Sequence, residues 1–391
     1  MPKTPTVLLR NGTVPSEGSR VRRDLLLVDG RIAEDGADAG GSAVEIDAEG
    51  LLVLPGLVDI HGDAFERQIM PRPGVSFDLD LALDDTDRQL AANGITTAFH
   101  GVTCSWEPGL RGVATVRRLI RAIASRRDGR VDGRVHLRHE TFNLEAEAET
   151  VEWIEAGLIH LLAFNDHMNG TLKDRNRPDK KARMVERTGL DAAAFDALVD
   201  RVHAREAEVE ASVARLARAA RAASVAIMSH DDRSPAERDR YRAMGAAVAE
   251  FPITEETAKA AAEAGDPIVF GAPNVVRGGS HTGCPDAATM VEAGYCTILA
   301  SDYYYPALLA SPFVLAARSG RAVEAFWPFV SENPARAAGL TDRGTLAAGM
   351  RGDVVLVDPR GPRPEVAVTI AAGRIVHLSD GSRLRPSRRG S

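Results

Sequence analysis

Short apolar runs recur along the chain between longer stretches of helical periodicity, and that alternation sets the fold class. From residue 57 onward "LVDI", "GITTAFHGV", "RVHLRHE", "IHLLAFNDH", "VAIMSHDD", "AAVAEFP", "PIVFGAPN" and "CTILASDYY" read as strands. Strands that alternate with helices imply parallel βα units, and this number of them predicts a (β/α)8 barrel, an α/β fold of the TIM-like type. The segment "DAAAFDALVDRVHAREAEVEASVARLARAARAAS" has its apolar positions at helical spacing with Arg and Glu between them, the pattern of an outer barrel helix.

The two chain ends follow a different rhythm. Residues 6–54 contain "TVLLRNGTV", "DLLLVDGRIAE" and "AVEIDAEGLLVLPG", β-rich runs joined by Asn-Gly and Asp-Gly turns, and "GDVVLVDPRGPRPEVAVTIAAGRIVHL" near the other end repeats the habit. Residues 1–55 and 350–391 are therefore predicted to pair into one small β-sandwich domain around a barrel of residues 56–349. The tail "SDGSRLRPSRRGS" is expected to fray.

Composition narrows the class without changing the fold. A chain of 391 residues, 44% hydrophobic and 26% charged, can bury a large core and reads as a globular protein. The start "MPKTPTVLLRNGTVPSEG" lacks the continuous apolar core of a signal peptide, and no run reaches the length of a membrane span, so a cytoplasmic protein with no membrane partner is expected. Cys104, Cys284 and Cys296 form no C-x-x-C pair and are odd in number, which supports neither a disulfide framework nor a thiolate zinc site. A formal charge of −7 argues against nucleic acid as partner, while leaving room for a basic pocket that takes an anionic small molecule. A homo-oligomer is compatible with all of this.

The candidate chemistry lies where the strands end. Barrel active sites sit at the C-terminal ends of the strands. There the sequence places His61 and Asp63 after "LVDI", Glu140 after "VHLR", His167 after "LLAFN", His230 after "AIMS" and Asp302 after "ILAS". His61 and Asp63 are two residues apart, so on an extended strand they share a face. Six donors from five strands are about what two adjacent divalent ions need, with a carboxylate bridging them.

These residues carry a family resemblance. Together with "LPGLVDIHGD", "SENPARAAGL" and "GTLAAGMRGDVVLVD", the strand-end pattern resembles the amidohydrolase superfamily over nearly the whole chain. Within it, "HGDAFERQIMPRPGV", "HLRHE", "SHDD", "AEFPIT", "GAPNVVRGGSHTG" and "ILASDYYYPALL" are similar to the diphosphatase family of the carbon–phosphorus lyase pathway of phosphonate metabolism, which acts on α-D-ribose 1-methylphosphonate 5-triphosphate. The resemblance implies that His61, Asp63, Glu140, His167, His230 and Asp302 hold metal, with Glu140 standing where other members carry a carboxylated lysine. Side-chain alternation puts His139 and Glu140 on opposite strand faces, and Glu140 is preferred as the one that looks into the barrel. The oxygen-rich set suits zinc or manganese, two ions per chain. Such ions acidify water and polarise a phosphoryl oxygen, and Asp302 is the expected proton acceptor.

A triphosphate also needs cations. Arg72 in "PRPGV" and Asn274, Arg277, Ser280 and His281 of "NVVRGGSH" are the expected phosphate or phosphonate contacts. Lys173 opens a basic run with Arg175, Arg177, Lys180 and Lys181 that could cover the phosphates or simply be solvated. Several positions depart from the family pattern: "NDHMNGTLKD" replaces a Pro-Gly-Gln-like run, "TGC" with Cys284 follows "GSH", and His100 stands where an aspartate is expected, as a ligand, a substrate contact or a packed residue. Two other readings stay open, a C–N hydrolase such as a deacetylase, deaminase or cyclic amidase, and a non-catalytic scaffold.

Overall fold

A computed structural model describes residues 4–385 apart from 17–18, 40–42, 73, 127–128 and 281–282. Among these, five strands from the first end of the chain, β1 (Val7–Ser16), β2 (Ser19–Val28), β3 (Arg31–Ile32), β4 (Val44–Asp47) and β5 (Leu52–Pro55), precede the barrel. They join β14 (Val354–Asp358), β15 (Glu365–Ala371), β16 (Arg374–Leu378) and β17 (Leu384–Arg385) in one mixed nine-stranded sheet. The two chain ends meet where β5 runs antiparallel to β14, with Leu54 opposite Val355. One edge of β1 serves two partners. Val7–Arg10 pair with β4, and beyond the irregularity between Leu9 and Gly12 the same edge reaches β5 through Thr13. This branch lets one continuous sheet enclose its own core, which includes Leu9, Leu27, Ile46, Val53, Leu356 and Ile370.

The middle of the chain gives eight parallel strands in sequential order: β6 (Leu57–Gly62), β7 (Ile95–Cys104), β8 (Asp132–Glu140), β9 (Leu161–Asn165), β10 (Ala226–His230), β11 (Ala246–Glu250), β12 (Ile268–Gly271) and β13 (Ile298–Ala300). The last meets the first. The Asp302 N–H donates to the His61 carbonyl at 2.8 Å, and the Asp63 N–H donates back to the Asp302 carbonyl at 2.9 Å. Asp59 locks the seam by accepting from the Ser301 N–H and hydroxyl at 3.0 and 2.5 Å. Gly62 sits where this closure is tightest: a Cβ there would lie 2.6 Å from an Asp59 oxygen and 2.9 Å from the Ser301 hydroxyl. Any side chain would force the seam apart.

Helices cover the barrel as their patterns require. The helix Val113–Ser125 buries Val116, Leu119, Ile120 and Ile123 against it. The long helical segment read from the sequence as one outer helix is two, Ala192–His203 and Glu206–Ala222. Its first part packs Phe195 and Val199 into a separate apolar cluster with Phe142 and Met168, whereas the second lays Val213, Leu216 and Ala220 on the barrel. Two different apolar targets explain the break. No helix among the described residues is long and apolar enough to cross a membrane.

Candidate metal centre

Three strand exits at the C-terminal end of the barrel share an unusual backbone. Asp231, Phe251 and Asp302, each immediately or shortly beyond a strand, have φ of 61°, 55° and 54°. A left-handed conformation costs free energy in any residue but glycine, and most in a bulky one such as phenylalanine. Each of the three still donates its N–H to the next strand, to Glu250 O, Val269 O and His61 O respectively. The ladder therefore continues while the side chains depart from strict alternation.

The donors gather into three groups, each with ligand atoms within 4.8 Å of one another: His61, Asp63 and Asp302; His61, His136 and Glu250, which shares His61 with the first; and, separately, His167, His230 and Asp231. His61 and His230 are neighbours, with ring centroids 5.6 Å apart, and His230 and His167 lie 6.2 Å apart. His61 Nδ1 contacts Glu250 Oε1 at 2.7 Å, and the Arg138 guanidinium lies 3.4 Å from Asp63 and 3.1 Å from His230 Nε2.

The electrostatics show a cluster waiting for positive charge. Burial and the neighbouring Asp63 push the Asp302 carboxyl up to about 7. Burial, with Arg138 and His230 nearby, holds the His61 imidazole well below its ordinary value, and burial takes His136 down to about 3. For His167 burial opposes protonation, but Glu140, 2.6 Å away, and Asp231 outweigh it and lift the imidazole to about 10. Neutral His61 and His136 are in the form that binds a metal, the crowded Asp63 and Asp302 are relieved by one, and His167 would release its proton on binding.

Two buried atoms make the fit of a cation concrete. Among the described residues His136 Nε2 and Glu250 Oε2 have no hydrogen-bond partner, and they stand 3.8 Å apart, with His230 Nε2 3.9 Å from the same carboxylate oxygen. That spacing is too long for a hydrogen bond. It suits donors that each approach one ion at about 2.0–2.2 Å. The residues present thus fit a divalent metal.

Of the residues proposed from the sequence, His61, Asp63, His167, His230 and Asp302 fall within these groups. Among the described residues Glu140 does not complete one; it faces His167, while His139 on the opposite face of β8 is buried with neither ring nitrogen hydrogen-bonded among those residues. His136, Asp231 and Glu250 were not singled out. Alternation already put His136 and Arg138 on the face of Glu140, and Glu250 closes the strand read as "AAVAEFP", so both signals were present. His100 is buried on β7, packs edge-on to Phe65 and joins no donor group among the described residues.

The expected phosphate contacts separate. Arg277, Asn274 and Ser280 line a cavity of about 220 Å³ together with His61, His230 and Asp302. Arg277 donates to the Tyr303 hydroxyl at 3.3 Å and has no carboxylate partner among the described residues. Asn274 uses its side chain on the chain itself, donating to Pro285 O and accepting from the Ala287 N–H. Arg72 is exposed on a turn closed against Val75 and is not part of that wall. Lys173 is exposed on the helix Met168–Asp174. The basic run after it is tied down instead, Arg175 to Asp200 and Lys181 to Asp196, both at 2.5 Å. His281 lies outside the described residues.

An eight-stranded βα barrel with such donors at its strand ends is the architecture of metal-dependent hydrolases. Solved structures share it. A β-aspartyl dipeptidase from Fervidobacterium islandicum AW-1 superposes with a TM-score of 0.63 at 15% identity, over 97% of this chain and 98% of its own. An amidohydrolase from a Sargasso Sea environmental sample gives 0.59 at 17% identity, over 96% and 93%. No protein-family model matches the chain. The α-D-ribose 1-methylphosphonate 5-triphosphate diphosphatase of Escherichia coli K12 is 31% identical over 318 residues, 80% of this chain and 84% of its own. A dihydroorotase from Syntrophotalea carbinolica is 38% identical over 93 residues, 23% of this chain and 20% of its own. The chain belongs to the amidohydrolase superfamily of hydrolases and, within it, to the family of the E. coli diphosphatase.

Proposed function

We propose that this enzyme hydrolyses a phosphoanhydride of a ribosyl triphosphate, α-D-ribose 1-methylphosphonate 5-triphosphate, releasing pyrophosphate in phosphonate catabolism. The observation that carries this reading is Arg277, a guanidinium without a carboxylate partner among the described residues, in the same cavity as His61, His230 and Asp302. A polyphosphate needs such a group, and a neutral amide does not. The similarity to the E. coli diphosphatase, which runs over most of both chains, supports the same substrate.

Zinc or manganese, two ions per chain, would be held by donors drawn from His61, Asp63, His167, His230 and Asp302, with His136, Asp231 and Glu250 beside them, and would supply Lewis acidity toward phosphoryl oxygen and water. Asp302 is the proton carrier. Its carboxylate takes one proton from water as the water oxygen bonds to the α-phosphorus. The bond from that phosphorus to the α,β-bridging oxygen breaks, and its electron pair leaves with pyrophosphate, which receives the proton from Asp302. The second proton of the water stays on the new phosphate until lost to solvent. Arg277 balances charge on the departing group, and Asn274 holds the loop at 285–287 that forms part of the same wall.

The test is pyrophosphate release from this triphosphate by metal-supplemented enzyme. Arg277→Ala should lower kcat/KM by roughly 10- to 100-fold, the scale of hydrogen bonds to a charged group, while leaving bound metal unchanged. The local similarity to dihydroorotase favours one second reading, hydrolysis of a C–N bond. Turnover of cyclic or N-acyl amides that is indifferent to Arg277→Ala, with no pyrophosphate release, would establish that reading instead.

A further inference from the structure

The donor cluster is a partition between two cavities. The smaller, about 220 Å³, meets it at His61, His230 and Asp302; the larger, about 470 Å³, meets it at Glu140 and His167; Asp231 belongs to both walls. A substrate cut at this partition has one product on each side. Which side takes which product is a question of charge and shape.

The guanidinium groups of the larger cavity are already engaged. Arg111 is bonded to Glu66 at 2.9 and 3.2 Å, Arg187 to Glu107 at 2.6 Å, and Arg233 to Glu237 at 2.7 Å and Asp166 at 3.1 Å. Glu107, Asp166 and Asp174 also line this space. A highly charged polyphosphate would meet these carboxylates and be repelled. A sugar suits the same surface, because carboxylates accept from its hydroxyls, the indole of Trp106 offers an apolar face, and guanidinium groups fixed by their partners can still donate to a singly charged phosphonate ester. The smaller cavity differs in one guanidinium. Beside Asp231 and Asp302 and an Arg138 shared with Asp63, its wall carries Arg277, which has no carboxylate partner among the described residues.

Resting on the diphosphatase reading, we propose that the substrate binds with a fixed polarity across the metal centre. The pyrophosphate leaving group lies in the smaller cavity against Arg277, and the ribosyl methylphosphonate lies in the larger cavity against Trp106. The volumes agree in direction with this assignment, the smaller product taking the smaller space. Trp106 is then a specificity-determining residue for the sugar side, and Arg277 for the leaving group.

Trp106 reports on this side of the metal centre, where it lines both the cavity of about 470 Å³ and a neighbouring one of about 830 Å³. It is half-buried, whereas the other two tryptophans, Trp153 and Trp327, are 5% and 3% exposed. On the metal-supplemented enzyme, with metal in excess, ribose 5-phosphate should change tryptophan fluorescence and pyrophosphate should not. As inhibitors of triphosphate turnover the two should also separate by variant. Arg277→Ala weakens inhibition by pyrophosphate at least tenfold and that by ribose 5-phosphate less than twofold. Trp106→Ala does the reverse, and Trp106→Phe, which keeps an aromatic face, restores ribose 5-phosphate inhibition. The opposite pattern, or equal loss for both inhibitors in both variants, overturns the polarity while pyrophosphate release by wild type keeps the diphosphatase reading intact. Absence of pyrophosphate release by wild type removes the reading and the polarity together.

Discussion

One strand, β8, joins two charged clusters, the first half-buried and the second buried more deeply, that are built on different principles. At its start Asp132 accepts from Arg343 at 2.6 Å, Arg134 at 3.0 Å and Arg351 at 3.4 Å, and Arg343 also donates to Thr97 at 2.8 Å. Here a carboxylate has several cations around it. At its end the strand delivers Arg138 and Glu140 into a cluster where Asp63 and Asp302 face each other, Asp302 is pushed toward neutrality, and His136 and Glu250 keep unpartnered atoms. The first cluster is complete without a ligand, and the second is not. The N-terminal end of a barrel stabilises and the C-terminal end works, and along β8 the difference is a carboxylate ringed by guanidinium groups against carboxylates and imidazoles that crowd one another.

The sharpest way to break the contrast is at the mouth. Asp302→Asn keeps size and one acceptor but removes the basicity, so turnover should fall roughly 100-fold or more, with the urea midpoint little changed; initial rates and equilibrium unfolding on the same preparation check both. The same kind of change at the floor should have the opposite profile. Arg343→Met leaves Asp132 with Arg134 and Arg351 only, and should cost roughly 2–3 kcal/mol, below the ~3–5 of a fully orphaned buried charge. Unfolding in urea would show it, and kcat of the folded enzyme should stay within about twofold.

A smaller effect separates the two ends by pH. Burial alone would raise Asp132, but Arg134, Arg343 and Arg351 outweigh it and hold its carboxyl below the ordinary value. The folded pKa is thus depressed. The stability it contributes is present above the unfolded carboxylate value, about 3.9, and is lost as pH falls toward the folded value. Wild type should therefore exceed Asp132→Asn in stability at neutral pH, and the gap should shrink below about pH 4. A gap that is constant from pH 7 to 3 would remove Asp132 from that role.

Much of this was legible in the sequence, for reasons that are local. Strand runs such as "VAIMSHDD" and "CTILASDYY" stop at a polar donor, so both the barrel and His61, His167, His230 and Asp302 follow from short windows. What escaped was set by tertiary geometry. In "SHDD" the alternation rule gives one inward residue of two, yet the left-handed turn at Asp231 brings it beside His230 and His167 as well. Arg72, flanked by prolines and as promising in sequence as Arg277, ends on an exposed turn. The floor was invisible, because Asp132 and Arg343 are 211 positions apart and nothing local marks either one.

The central claim is that the donors clustered at the strand ends hold divalent cations, and metal binding by stripped protein tests it most directly. Titration of metal-free enzyme with manganese or zinc, followed by desalting and elemental analysis, should give saturable binding of up to two ions per chain, with Asp231→Asn retaining measurably less than wild type. Protein that retains no metal after saturation, or an Asp231→Asn variant that retains as much as wild type, would contradict the account of this centre.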